Sequence, residues 1–286
     1  MIADADTVTV QLAYRAPMDL GATLAFLGRR AIPAVETYEA GCYTRTVRAS
    51  GGPARITLTT GEAEGAVACR VELTDRRDLP MLISRARALL DLDADQPAID
   101  ARLGADAVLG PLLAARPGLR SPGAVDGFEM AIRAVVGQQI SVSGARTLLG
   151  RIAAEHGSPA FGGPAGRLFP DPAKLAAIDP ASLPMPRARA RTVLAIATAC
   201  AGGDLRLDPD ADRQREHAAL LALPGIGPWT ADYIRMRAMG DRDVLLATDL
   251  GVRRSADRLG IDLAGGRPQW APWRSYATHH LWAAGH

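Results

Sequence analysis

Aromatic side chains are scarce here: Phe, Trp and Tyr make up 5% of the 286 positions, and all four tryptophans fall after residue 228. With 48% hydrophobic residues the chain can fill its cores without them, so the position of each ring is informative. Lysine is scarcer still, since Lys174 is the only one and arginine supplies the remaining positive charge. Chemistry that needs a lysine amine to form a Schiff base therefore has one candidate. It stands in Asp171-Pro172-Ala173-Lys174-Leu175, which reads as a solvated helix position remote from the motifs below. The three cysteines, Cys42, Cys69 and Cys200, match no zinc, iron–sulfur or redox spacing and read as buried apolar side chains in a reducing compartment. The pair His279-His280 has no ligand spacing to other metal-binding types, so a structural role is expected. No apolar run approaches the ~18 residues of a membrane span. The acidic start MIADADTVTV lacks the basic and apolar segments of a secretory signal. A cytoplasmic protein with no membrane partner is expected. Neither charge sign dominates, with 33 basic against 31 acidic residues. Residues 1–119 carry 13 basic and 15 acidic groups and the rest 20 and 16, which leaves room for an anion-binding face on the second part.

What is present falls into two kinds of pattern. Residues 7–12, 42–47, 55–58 and 67–73 alternate apolar and polar with Gly-Gly-Pro and Thr-Gly-Glu turns between runs, the signature of antiparallel strands. Helical spacing fits 20–30 and 79–90, so residues 1–95 are expected to form a small α+β unit with a meandering sheet. From 96 to 286 apolar residues recur every three or four positions, which predicts an all-helical unit. Ser141 is the expected N-cap of a helix ending before Gly157, and further helices fit 186–200, 211–221, 229–239, 249–259 and 270–282.

The most informative run is Leu223-Pro224-Gly225-Ile226-Gly227-Pro228-Trp229-Thr230-Ala231, between two helical segments. Two glycines permit positive φ and close backbone approach, and the free N–H groups ahead of the second helix make an anion site suited to a DNA phosphate; Pro228 and Thr230 belong to the same surface. The plain alternative is a tight helix–helix turn. Such hairpins also occur in DNA-binding proteins that catalyse nothing, and what distinguishes an enzyme is a carboxylate downstream. Asp249, 22 residues after Gly227, follows the apolar run 244–247 at the start of a helix. There the helix dipole favours its ionised form, and an anion stabilises the positive charge that builds on a sugar as an N-glycosidic bond breaks. An N-cap role alone is the alternative, and the two are compatible.

These residues resemble a known family, the AlkA-type 3-methyladenine DNA glycosylases II of the helix-hairpin-helix superfamily. The likeness is carried by Ala34-Val35-Glu36-Thr37, Ala115-Arg116-Pro117-Gly118-Leu119-Arg120, the stretch 132–141, the hairpin, and Pro272-Trp273-Arg274-Ser275-Tyr276-Ala277. The resemblance implies a domain like half of the TATA-binding protein, then two helical subdomains with the active site between them. It implies Asp249 as the catalytic carboxylate, with Trp229, Trp282, Phe26, Tyr233 and Gln138 around the base. It also implies a structural Na+ or K+ on the carbonyls of Leu221, Leu223 and Ile226, no cofactor for catalysis, and duplex DNA with damaged bases as partner of a monomer. Electron-rich indoles suit a cationic alkylated purine, and bifunctional relatives carry a lysine where this chain has Trp229. Core packing is the competing reading for these rings, and Trp270 and Trp273 are expected to be structural.

The chain departs from the family pattern in three places. Leu250 and Ala283 replace tyrosines, so a wider or less polar pocket is expected. Polar Gln139 stands where an apolar residue enters the DNA stack, leaving Gln139 or Ile140 as the wedge. A glycosylase for other damaged or bulkier bases, and a non-catalytic lesion-binding protein, are the alternatives to excision of alkylated purines.

Overall fold

The computed structural model describes residues 5–285; residues 1–4, the head of the acidic N-terminus, and 286 lie outside them. Strands β1 (Asp6–Ala13), β2 (Glu36–Glu39), β3 (Cys42–Ala49), β4 (Gly52–Thr60) and β5 (Ala66–Leu73) form one antiparallel sheet in the order β1-β5-β4-β3-β2. Alternation decides which face is buried. Ala54, Ile56 and Leu58 of β4 and Val67, Cys69 and Val71 of β5 are wholly buried, each on the face covered by α1 (Leu20–Gly28) and α2 (Leu79–Leu90). Every such aliphatic side chain contributes roughly 1.5–3 kcal/mol when taken from water. The short edge strand β2 is absent from the sequence expectation, because four residues just after Pro33 carry too little alternation to register.

The rest is helical, apart from a two-residue antiparallel ladder of 158–159 with 167–168 that the all-helical expectation did not include: α3 (Gln96–Gly104), α4 (Leu109–Ala115), α5 (Gly127–Val136), α6 (Val142–His156), α7 (Pro172–Ala176), α8 (Arg187–Gly202), α9 (Arg213–Ala222), α10 (Pro228–Ala238), α11 (Leu250–Arg258) and α12 (Arg274–Ala284). They build two cores. Phe128, Ile132, Ile152, Val193, Ile196 and Ile234 belong to one, spanning α5 to α10. Ile99, Leu103 and Leu109 belong to the other, with Leu246, Val252, Trp270 and Leu281 from the far end of the chain. Ser141 caps α6, its Oγ accepting from the Gly144 amide at 3.1 Å. The last helix begins at Arg274 rather than residue 270, because Pro272 has no N–H to donate and holds the preceding turn outside the helix. Trp270 lies in that turn, fully buried, with its indole N–H on Asp106 at 2.7 Å, the structural role expected of it. Cys69 is buried as expected, whereas Cys42 and Cys200 are only half-buried because each lies at the rim of its element. None of the described helices is long and apolar enough to cross a membrane.

A buried ionic network joins the sheet to α5. Arg45 pairs with Glu36 at 2.9 Å and Glu129 at 2.8 Å, and Arg133 meets the same two carboxylates at 2.6 Å each. Burial alone would raise the Glu129 carboxyl, but Arg45 and then Arg133 outweigh it and hold it below its ordinary value. Arg133 also donates to the Arg30 carbonyl at 3.0 Å, and Arg146 to that of Ala31 at 2.8 Å. The network thereby fixes the loop after α1 beside the cleft.

Candidate active site

The segment leading to Asp249 is extended and hangs on α12. The Val244 amide donates to Ser275 Oγ at 3.0 Å and the Leu246 amide to Thr278 Oγ1 at 3.3 Å. Ser275, Thr278 and Trp282 lie at i, i+3 and i+7, so the helix that supports this segment also presents an indole to its end. Asp249 is the N-cap of α11, and its Oδ1 accepts from the amides of Gly251 (2.8 Å) and Val252 (3.0 Å). The same carboxylate accepts the Trp282 indole N–H on Oδ1 at 2.8 Å and the Trp229 indole N–H on Oδ2 at 3.1 Å. Four donors therefore fix one anion. The cap role and the site role, alternatives in the sequence, coexist.

The carboxylate looks into a cavity of about 260 Å³ lined by Trp229, Tyr233, Trp282 and the turn before α6. Trp229 and Tyr233, one turn apart on α10, stack with centroids 5.3 Å apart and planes 7° from parallel, giving one flat wall. Trp282 meets Tyr233 nearly edge-on at 6.3 Å. Phe26 does not line the cavity; it sits one layer behind, beneath the guanidiniums of Arg30 and Arg237 and against His279. His279 and His280 are both buried on α12, the structural role expected of them. Leu250 is 66% exposed and turns away, while Arg30 and Arg237 bring two guanidiniums to the lining.

The hairpin closes α9 onto α10. Gly225 has φ +81°, and a Cβ there would fall 2.2 Å from Thr192 Oγ1 on α8, so both its dihedral and its neighbour require glycine. Gly227 differs from the expectation of a second positive φ, since its φ is −96° and a Cβ would meet nothing within 4 Å. The fold leaves open space beside its amide. The amides of Gly225 and Gly227 donate to no backbone carbonyl among the described residues, and the carbonyls of Leu221 and Ile226 accept from no backbone amide, in part because Pro224 has none; that of Leu223 accepts the Ile226 amide at 3.3 Å. Pro228 is exposed.

Two expected contact residues serve instead as internal ties. Gln138 does not line the cavity: its side-chain amide donates to Thr230 Oγ1 at 2.8 Å and to the Gly225 carbonyl at 3.2 Å. Thr230, only 3% exposed, is taken up by that bond rather than facing solvent. Arg189 of α8 completes the junction by donating to the Gln138 carbonyl at 2.7 Å. Gln139 projects into solvent from a residue at φ +58°, and Ile140, 37% exposed, stands at the cavity rim.

Comparison with known proteins places the chain. A family model described as the AlkA N-terminal domain matches residues 9–126. DNA-3-methyladenine glycosylase 2 of Escherichia coli K12 is 32% identical over 275 residues, covering 95% of either chain. This chain belongs to the AlkA family. A probable bifunctional transcriptional activator/DNA repair enzyme AlkA of Mycobacterium tuberculosis H37Rv is 43% identical over 98% of this chain, which spans 58% of that relative's length. Among solved structures, a 3-methyladenine DNA-glycosylase from Archaeoglobus fulgidus superposes with TM-score 0.80 at 20% identity, over 97% of this chain and 98% of that one. The AlkA-type fold, a five-stranded sheet domain followed by helix-hairpin-helix subdomains, is thus the architecture expected. In this AlkA-family chain the residues missed by sequence reasoning are Arg30 and Arg237. A signal existed for Arg237, four positions after the expected aromatic Tyr233 on α10 and so on the same face; Arg30 lies two residues past the end of α1, where spacing gives no such signal.

Proposed function

We propose that this protein is a monofunctional DNA glycosylase of base excision repair, hydrolysing the N-glycosidic bond of alkylated purines flipped out of duplex DNA. The observation that carries this reading is the Asp249 carboxylate, fixed by two indole N–H groups at the wall of a flat-sided cavity. As the C1′–N bond breaks, its electron pair leaves with the base and positive charge develops on the deoxyribose. A fixed anion stabilises that charge without reorganising. A water oxygen then bonds to C1′ and releases its proton to solvent. A purine alkylated at N3 or N7 is already cationic and departs neutral, so no protonating acid is required, and the aromatic wall holds it by stacking and cation–π attraction.

The hairpin amides of Gly225 and Gly227 grip a backbone phosphate, and Ile140, apolar and at the rim, fills the gap left by the flipped nucleotide, with Gln139 beside it. The unpartnered carbonyls of Leu221 and Ile226, with that of Leu223, suit a monovalent cation, which would supply positive charge to the same phosphate site. We place the division between sheet unit and glycosylase helices near residue 95, and expect a cytoplasmic monomer. Duplexes bearing 7-methylguanine or 3-methyladenine should yield free base on incubation, leaving an intact abasic strand. Absence of base release defeats the reading, and a borohydride-trapped covalent adduct would overturn the monofunctional part.

A further inference from the structure

An anion that must approach DNA is repelled by the phosphates around the nucleotide it serves, and Asp249 is such an anion. The outer face of α11 carries charges that offset this. Val252, Ser255 and Ala256 turn inward, which leaves Leu250, Arg253 and Arg254 on the solvent side, at i, i+3 and i+4 and so neighbours on one face. Both arginines are exposed, and neither makes an ion pair or a side-chain hydrogen bond among the described residues, whether with Asp249, with Asp257 one turn on, or with a carbonyl. Other arginines nearby are tied: Arg258 donates to the Ala284 carbonyl at 2.6 Å, and Arg274 holds Asp243 at 2.7 Å. Leu250 adds an apolar element between the carboxylate and the two cations. A lone exposed leucine is ordinary, but only four large apolar side chains are exposed among the described residues, and Leu250, at 66%, is the most exposed of them. The other three, Ile140, Val142 and Leu221, belong to the cavity rim or to the last turn of α9 before the hairpin. Large apolar exposure is thus confined to the segments around the site.

Arg253 and Arg254 stand four and five residues after Asp249, about 6–7.5 Å along the helix at 1.5 Å per residue. A strand that places a deoxyribose at Asp249 carries a phosphate about every 3.4 Å of its rise, so one or two fall within that length. We propose, resting on the glycosylase reading above, that the start of α11 is a second backbone-contact surface for the lesion-bearing strand, on which Arg253 and Arg254 bind phosphates flanking the extruded nucleotide and Leu250 packs on the adjoining sugar. The hairpin and α11 meet through the bond from the Trp229 indole to Asp249, so the two contacts lie on one continuous stretch of backbone. Positive charge there also draws the strand onto the catalytic anion instead of away from it.

Titration of a duplex carrying a tetrahydrofuran abasic-site analogue, which cannot react, at a series of salt concentrations tests this. Each phosphate contact contributes about 0.9 to the slope of log affinity against log salt, so Arg253→Gln/Arg254→Gln should flatten that slope by about 1.8. Arg77→Gln removes an exposed arginine of the sheet unit and should leave the slope as in wild type, which controls for net charge. Leu250→Ser should weaken binding several-fold along a line parallel to wild type, since it removes contact area and no charge. A flattening below about 0.9 in the double variant, less than the worth of one contact, or an equal flattening in Arg77→Gln, overturns the phosphate contacts. Unchanged affinity in Leu250→Ser overturns the sugar contact. The slope is read on DNA that is not cleaved, so a wild type that releases no alkylated base defeats the glycosylase reading and not this one.

Discussion

Replacing Asp249 by Asn separates the carboxylate's charge from its shape. The Asn carbonyl can keep the cap bonds to Gly251 and Val252 and accept the Trp282 N–H, but its amide then faces the Trp229 N–H, donor against donor. One hydrogen bond is lost, about 1 kcal/mol at a half-exposed site, and the missing charge at the N-terminus of α11 removes a further ~0.3–1 kcal/mol. For a chain of this size that lowers the melting temperature by only a few degrees, at roughly 2–4 °C per kcal/mol. The effect on chemistry is much larger. A unit positive charge forming about 4 Å from the carboxylate, at an effective dielectric constant of ~20, is stabilised by about 4 kcal/mol, which corresponds to roughly a thousandfold in rate. Single-turnover release of 7-methylguanine, measured beside a thermal melt and a DNA-binding titration, should show that loss with near-normal stability and affinity. A rate within tenfold of wild type would refute the assignment of charge to Asp249, and a collapse of the melt would mean its main role is structural.

The two hairpin glycines should respond differently. Gly227→Ala should melt within about 2 °C of wild type, because its backbone is ordinary and the space beside it is open, yet bind duplex DNA several-fold more weakly, because the added methyl fills the space through which a phosphate approaches the amide. Gly225→Ala should lose at least ~1–2 kcal/mol of stability from the left-handed backbone and the clash with Thr192; equal melts for the two variants would contradict this. Stability should also fall with acid. Burial, and secondarily Arg116, lower the His280 imidazole from 6.5 to about 4. The unfolded chain takes up this proton below about pH 6.5 and the folded one only near pH 4, so the stability is complete above 6.5 and drains as pH drops towards 4, by roughly 3 kcal/mol. Melts of wild type and His280→Leu between pH 7 and 4 should show a shallower slope in the variant, and parallel slopes would rule out His280 as a source.

Local signals were readable where one residue type carries them. Ser141 and Asp249 announce helix starts by side-chain capping, and β4 announces itself by placing Ala54, Ile56 and Leu58 on one face. The assembly of α3 and α4 with α11 and α12 left no trace, because its contacts, such as Trp270 with Asp106, join residues far apart in sequence. The same limit hid the fate of Gln138 and Thr230. Their neighbourhood marks them as surface residues of a DNA-facing motif, and only the meeting of the α5–α6 turn with the hairpin turns them inward to each other. Arg30 and Arg237 read in sequence as two more members of an arginine-rich chain, since their place at the cavity is a property of the packed state.

The four-membered lattice of Arg45, Glu36, Glu129 and Arg133 has a consequence for how the chain can be divided. Two of its charges belong to the sheet side and two to α5; each half keeps one internal pair, and two further pairs cross the seam. Trimming away the first ninety-odd residues would take Arg45 from Glu129 and Glu36 from Arg133, leaving those two only each other, and would remove the loop that carries Arg30 to the cleft. The sheet is therefore no detachable ornament: Glu36, Tyr43 and Arg45 form one wall of the cavity onto which Asp249 looks.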